Sequence, residues 1–298
     1  MEIIGEILEK IPIKKSIITR REYEWLSTFE SLQPHELAKI KEFENFEKTR
    51  QIQKIATKTK LVIEKKQGLL LNKSTLWQGF IQSFYKTQGK KFEKTKDTLS
   101  NLEPVFKYFL KDASFFECQN LVKNINKIEL NNCFEKGLLI VGNFGNGKTS
   151  VMKTFEVLFK TNADLAYLEN WHNASDWLKL RFKGIKSHEL VTEFEGLTNA
   201  ESKANFYKKH SGFRYYFDDV KREKKASNYG TTEVIREVLE KRYDNKAKTF
   251  ITCNYSENAP NDLHESLFEF GERYGGHIYD RLFEMFNIVE FKGVSFRR

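Results

Sequence analysis

The run Gly137-Leu-Leu-Ile-Val141, continuing into Gly142-Asn-Phe-Gly-Asn-Gly-Lys-Thr149, decides how this chain folds. An apolar strand breaks into a G-x-x-x-x-G-K-[ST] loop, and the amphipathic stretch Ser150-Val-Met-Lys-Thr-Phe-Glu-Val-Leu-Phe159 follows at once. Strand, glycine-rich loop and helix in that order are what a phosphate-binding loop requires. Gly142, Gly145 and Gly147 let the backbone curl so that successive amides point inward at phosphate oxygens. The helix dipole faces the same way. The predicted binding set is Gly142, Asn143, Phe144, Gly145, Asn146, Gly147, Lys148, Thr149 and Ser150. Lys148 would reach the β and γ oxygens of a nucleoside triphosphate, and Thr149 would coordinate magnesium.

The bulk properties bound the rest. A chain of 298 residues with 40% hydrophobic content can bury one large domain and a smaller region. The formal net charge of +9 favours contact with nucleic acid or another polyanion. Three widely spaced cysteines, Cys118, Cys133 and Cys253, suggest neither a disulfide framework nor a zinc site, and so a reducing compartment. No apolar run approaches the roughly 20 residues of a membrane span, and the N-terminus lacks a signal-like core, so a soluble, cytoplasmic protein is expected.

Before the phosphate loop, Leu37, Ile40, Phe43 and Phe46 recur at helical spacing among charges of both signs that run out to Lys65-Lys66. The basic group Ile11-Pro-Ile-Lys-Lys15 precedes them without an assignable element. Trp77, Phe80, Phe84 and Tyr85 then lead to Lys90-Lys91 and Lys94-Thr-Lys96, a mixture that reads as core and surface more readily than as a single-strand clamp. The spacing from Thr98 to Leu110 is helical and stays broadly so up to Gly137. With no glycine-serine linker, the division is placed near residue 100, giving a mainly helical partner-binding region, 1–100, and a nucleotide domain, 101–298.

After the loop, Phe213-Arg-Tyr-Tyr-Phe217 is an aromatic strand ending in Asp218-Asp219. Asp218 would hold magnesium and Asp219 would polarise the attacking water. Aspartate is one methylene shorter than the glutamate common at that position, so slow hydrolysis is expected. Lys248-Thr-Phe-Ile-Thr-Cys-Asn254 is a second buried strand, placing Asn254 as a sensor of γ-phosphate or water between the loop strand and the acidic strand. Arg281 sits where the Tyr279-Asp-Arg-Leu-Phe283 helix end meets the last strand, and can complete the site of a neighbouring subunit.

Together Gly142 to Thr149, Tyr216-Phe-Asp-Asp219, Thr252-Cys-Asn-Tyr255 and Gly271-Glu-Arg-Tyr-Gly275 with Asp280-Arg-Leu282 resemble the DnaC-type helicase loaders, a branch of the AAA+ ATPases that includes the IstB transposition ATPases. The resemblance covers roughly residues 100 to 298. It implies a three-layer α/β P-loop domain with a central parallel sheet, without the C-terminal helical lid of most AAA+ proteins. It also implies an ATP- and Mg2+-dependent homo-oligomer on single-stranded DNA that delivers a replicative helicase. A target-selecting ATPase serving a transposase, or a nucleotide-gated DNA scaffold with little turnover, are the alternatives. On this resemblance the phosphate-loop lysine falls on Lys148, the acids on Asp218 and Asp219, the sensor on Asn254 and the interface arginine on Arg281, with Arg273 competing. The stretch from Glu189 to about Lys209 resembles the helical insertion these loaders use near DNA. Where many relatives carry glycine after the acidic pair, this chain has Lys221-Arg-Glu-Lys-Lys225, a basic loop that would contact phosphate backbone or stand solvated.

Overall fold

The computed structural model describes residues 18–29, 31–62, 67–228 and 230–296. The Ile11 to Lys15 group and the Lys65-Lys66 end of the charged stretch lie outside the described residues. Contacts divide the chain into two compact units, Met1–Lys65 and Lys66–Arg298.

In the first unit, Thr19 and Glu22 form a reciprocal capping box that starts α1, Arg20–Leu26. Helix α2, Pro34–Val62, opens on a proline, whose missing amide costs nothing in a first turn. Phe43 of the sequence stripe is buried with Leu26 and Ile18, and Tyr23 stacks on it at a ring separation of 4.6 Å. Leu37 of the same stripe is exposed.

The second unit is built on five strands: β1 Gly137–Gly142, β2 Lys183–Lys186, β3 Tyr215–Val220, β4 Thr249–Cys253 and β5 Phe286–Phe291. They lie side by side in the order β2-β3-β4-β1-β5, and every neighbouring pair is parallel. Helices α3 (Lys73–Gln88), α4 (Lys96–Leu110), α5 (Lys148–Leu168), α6 (Ala174–Leu180), α7 (Ser187–Glu195), α8 (Ala200–Gly212), α9 (Val234–Asp244), α10 (Leu263–Tyr274) and α11 (Gly276–Met285) surround the sheet. Every residue of β1 is buried, as a parallel strand covered on both faces must be. Side chains alternate along a strand, so Leu138 and Ile140 join Tyr216 and Phe250 in a core shared with α3, α4 and α5. Leu139 and Val141 point the other way, joining Phe217, Ile251 and Cys253 in a second core capped by α7 to α11. Two cores on one sheet make the three-layer α/β architecture expected. Among the described residues no helix is long and apolar enough to cross a membrane.

Two expectations change. The units divide at Lys65/Lys66 and not near residue 100, because α3 belongs to the first core. Its Leu76 and Phe80 are fully buried, with the Phe80 ring 5.1 Å from Phe155 on α5 and 5.2 Å from Phe106 on α4. Trp77, Phe80 and Phe84 therefore face inward, as core and not as a stacking platform, while Tyr85 stays exposed. The helical character foreseen up to Gly137 also stops early. Lys111 takes a left-handed φ of 52° that ends α4, and a 3-10 turn follows at Ala113–Glu117. Asn126 and Lys127, both at positive φ, then turn a two-residue hairpin that pairs Asn124–Ile125 with Ile128–Glu129.

A chain beginning at Lys66 is expected to unfold cooperatively, while one beginning at Asn101, stripped of Leu76, Phe80 and Phe84, should show no cooperative melt by circular dichroism. In the full chain, Phe80→Ala should lower the unfolding free energy by about 3–5 kcal/mol in urea titrations.

Candidate functional site

The parallel register brings three strand ends to one level. Val141 pairs with Cys253, and Val220 pairs with Cys253 from the other side, so Gly142, Asn254 and the acidic pair come to the same end of the sheet. Strand β4 lies between the loop strand and the acidic strand, the position foreseen for Asn254.

The loop leaves β1 by two different uses of glycine. Gly147 (φ 95°) and Gly145 (φ 76°) adopt the left-handed backbone that the curl demands. Gly142 instead provides clearance: a Cβ there would stand 2.4 Å from the Phe291 carbonyl oxygen and 2.5 Å from Asn146 Nδ2. Helix α5 begins at Lys148 directly behind the loop. Asn146 donates to the Phe291 carbonyl at 2.8 Å, tying the loop to β5.

Lys148 is only 6% exposed, and a buried ammonium must be surrounded by oxygens. Its Nζ donates to the carbonyls of Gly142 (2.6 Å) and Asn143 (2.8 Å), and to the side-chain oxygens of Asn146 (3.2 Å) and Asn254 (3.1 Å). Asn254 passes the connection on, its Nδ2 donating to Asp219 Oδ1 at 2.6 Å. One amide thus joins the loop lysine to the second acid.

Asp218, 5% exposed, collects three hydroxyls on a single oxygen. Thr149 Oγ1 donates to Oδ1 at 2.9 Å and Thr252 Oγ1 at 2.6 Å, with the Tyr216 hydroxyl as the third donor. Burial and the adjacent Asp218 push the Tyr216 phenol well above its usual pKa, so it remains a donor. The second carboxylate oxygen receives none of these bonds. Thr149 beside a carboxylate with one oxygen unengaged fits a hard cation held by few protein oxygens, which is how magnesium is bound beside nucleotide phosphates. Among the described residues no group of three or more His, Cys, Asp or Glu side chains is placed to hold a metal.

The acids lie inside β3, not beyond its end. The pairing with β4 steps from Phe217 opposite Ile251 to Val220 opposite Cys253, a bulge that inserts one extra residue. Asp219 takes φ 56° within it, a conformation aspartate tolerates better than most side chains. Its amide donates to Thr252 Oγ1 (3.2 Å) and its carbonyl accepts from Ser187 Oγ (2.8 Å), which fix the bulge from both sides. Tyr216 and Thr252, which the motifs contain without a role, and Ser187, which lies outside them, are thus further residues of the site. For Tyr216 and Thr252 a sequence signal existed, since a hydroxyl two residues before an acid or amide on neighbouring strands falls on the same face.

A cavity of about 520 Å³ opens beside these groups. Gly145 to Ser150, Asp218, Asp219, Thr252 and Asn254 line it, while Gln88, Lys90 and Phe92 from the α3 end close another side. Ser150 Oγ donates to Gln88 Oε1 at 2.8 Å, a link to α3 that no motif announces.

The two arginine candidates differ. Arg273 is committed within its own chain: it donates to the carbonyls of Lys221 and Glu223 and pairs with the Glu223 carboxylate at 3.0 Å. Arg281, on α11, does not line the cavity; its guanidinium lies 4.4 Å from the Tyr243 ring centroid. In the basic loop Lys221 is bonded to Glu269, while the exposed Lys224 and Lys225 form surface pairs with Glu195 at 2.9 Å and Glu233 at 3.8 Å.

No family model matches the chain, and no curated protein matches it. Among solved structures it is similar to the DnaC helicase loader, with 20% identity over 53% of this chain and 79% of that one at a TM-score of 0.39. It is also similar to DnaI, with 14% identity over 73% of this chain and 93% of that one at a TM-score of 0.40.

Thr252→Val removes the hydroxyl that serves Asp218 and Asp219 without changing side-chain volume. The variant is expected to lose about 1–3 kcal/mol of stability in urea titrations, because a buried amide and a carboxylate each lose a partner.

Proposed function

We propose that the chain is a magnesium-dependent ATPase of the helicase-loader type, which assembles on single-stranded DNA and delivers a replicative helicase. The observation that carries the ATPase reading is the continuous connection from Lys148 through Asn254 to Asp219, set beside the Thr149–Asp218 pair at the rim of one cavity. A nucleotide's terminal phosphate placed against Lys148 would stand within reach of all three groups that hydrolysis needs: a cation, a base and a polar sensor. In that role Lys148 would exchange its carbonyl partners for phosphate oxygens. Asn254 would be released from Lys148 and left to orient water with Asp219. A bound magnesium ion would neutralise phosphate charge beside Thr149 and Asp218.

The loader class rests on the motif set, from Gly142 to Thr149, Asp218-Asp219, Asn254 and the Arg281 segment, taken together. That an IstB-like transposition ATPase shares these motifs leaves the partner, helicase or transposase, to be identified by binding. The scaffold reading with little turnover draws on one feature, the short Asp219 side chain held at 2.6 Å by Asn254. Oligomerisation is proposed because Arg281 lies away from its own cavity, on α11, where it is available to a neighbouring subunit's site.

ATP turnover is expected to require magnesium, to rise with single-stranded DNA and to fall at least tenfold in Lys148→Ala and Asp219→Asn, a loss of roughly 1.4 kcal/mol or more of transition-state stabilisation. Nucleotide affinity should survive in Asp219→Asn. Arg281→Ala and Lys148→Ala are each expected to be inactive alone and to recover turnover when mixed, because a mixed interface pairs an intact loop with an intact arginine. Mixtures no more active than their components would refute the shared site. Turnover unaffected by Asp219→Asn would refute the assignment of the base.

A further inference from the structure

We propose that Arg222 is a contact of this chain to the terminal phosphate of the nucleotide bound in its own cavity, and so distinguishes a triphosphate from a diphosphate. The inference rests on the nucleotide reading above and adds a residue that no motif assigns.

Arg222 stands three residues beyond Asp219, in a loop whose backbone is held almost entirely from one side. Lys221 has φ 80°, left-handed for a residue with a side chain, and its amide donates to the Tyr274 hydroxyl at 3.2 Å. Its ammonium is bonded to the Ser266 carbonyl at 2.9 Å and to Glu269. Arg273 holds the carbonyls of Lys221 and Glu223, and Glu223, 4% exposed, is bonded to Tyr274 and Arg273. Residues 221 and 223 are thus anchored on α10. Arg222 between them makes its contacts with Phe144 and Glu257 instead.

Its guanidinium lies 4.8 Å from the ring centroid of Phe144, inside the phosphate loop itself, and it lines the nucleotide cavity together with Asp219 and Asn254. The acid that faces it, Glu257, is 3.7 Å away, with the two side chains 49% and 76% exposed, so this pairing is weak and easily exchanged. A planar cation stacked on an aromatic of the loop, with its donors available and a pinned backbone beneath it, is built to engage phosphate oxygens in a fork. Phe144 is itself 43% exposed, so its face is open to the guanidinium from the cavity side. Loss of the terminal phosphate would return Arg222 to Glu257, so the strained loop after Asp219 would report which nucleotide is bound.

The test is equilibrium binding of Mg2+–ATPγS and Mg2+–ADP to the full chain, for wild type, Arg222→Ala, Arg222→Lys and Lys148→Ala. In Arg222→Ala the ATPγS affinity is expected to fall roughly tenfold or more, the loss of one charged hydrogen-bonding partner, while ADP affinity is unchanged. Arg222→Lys should recover part of the loss, since it keeps the charge without the fork. Lys148→Ala should weaken both nucleotides. Equal weakening of ATPγS and ADP in Arg222→Ala, or no change in either, overturns the assignment. So does a variant whose only defect is in single-stranded DNA affinity. A wild type that binds neither nucleotide removes the nucleotide reading and Arg222 with it.

Discussion

A buried ammonium is the constraint from which the second unit is organised. Lys148 is almost wholly withdrawn from water, so its charge is met by oxygens drawn from separate parts of the chain: the end of β1, the loop itself and the residue after β4. None of these oxygens is a neighbour of the others in sequence beyond the loop. They converge because β1 and β4 pair in parallel with Val141 opposite Cys253, which delivers Gly142 and Asn254 to the same level. A slip of one residue would turn Asn254 toward the opposite face and leave the ammonium short of a partner. The two apolar cores fix the register, and the polar cluster is what that register makes possible.

The acidic strand solves a related problem by breaking its own regularity. Consecutive residues of an ideal strand point to opposite faces, so Asp218 and Asp219 could not both serve one site from a regular β3. The bulge between Phe217 and Val220 re-aims Asp219, and its left-handed backbone is stabilised by Thr252 on one side and Ser187 on the other. Asp218 meanwhile stays in the wall, held by three hydroxyls that cannot follow it elsewhere. The two carboxylates therefore end in different environments, one buried and bonded on a single oxygen, the other partly open and tied through Asn254 to Lys148. Different surroundings are what allow chemically identical groups to take different parts.

How much of this was legible beforehand varies with the range of the interaction. The phosphate loop, the acidic pair and the strand that carries Asn254 are local patterns, each readable from a run of a few residues. The middle position of β4 followed from the company of those motifs. The bulge did not, because Tyr216-Phe-Asp-Asp219 reads as a regular strand and the reason for breaking it lies on β4 and at Ser187. The place of α3 was hidden for another reason. An amphipathic helix with Trp77, Phe80 and Phe84 on one face declares that it packs, but not on what, and its partners are Phe106 on the next helix and Phe155 on α5, beyond the phosphate loop. The one local mark near the boundary is Gly68 with Leu69-Leu-Leu71, where the charged stretch ends, and no glycine-serine linker adds to it.

The basic loop after Asp219 has partners that no local run of sequence brings into view. Four cations in five residues suggest a surface for polyanions, yet the structure opposes Lys221, Lys224 and Lys225 with Glu269, Glu195 and Glu233, and buries the single acid, Glu223, against Arg273. Burial raises the Glu223 pKa, and Arg273 with the Tyr274 hydroxyl opposes that rise. An arginine that stabilises a buried carboxylate and two backbone carbonyls cannot leave without stranding all three, which ties Arg273 to its own chain. Arg281, resting on the face of Tyr243, carries no such debt to the fold. Between the two arginines, it is what each would strand on leaving, and not proximity to the motif, that marks Arg273 as the structural cation.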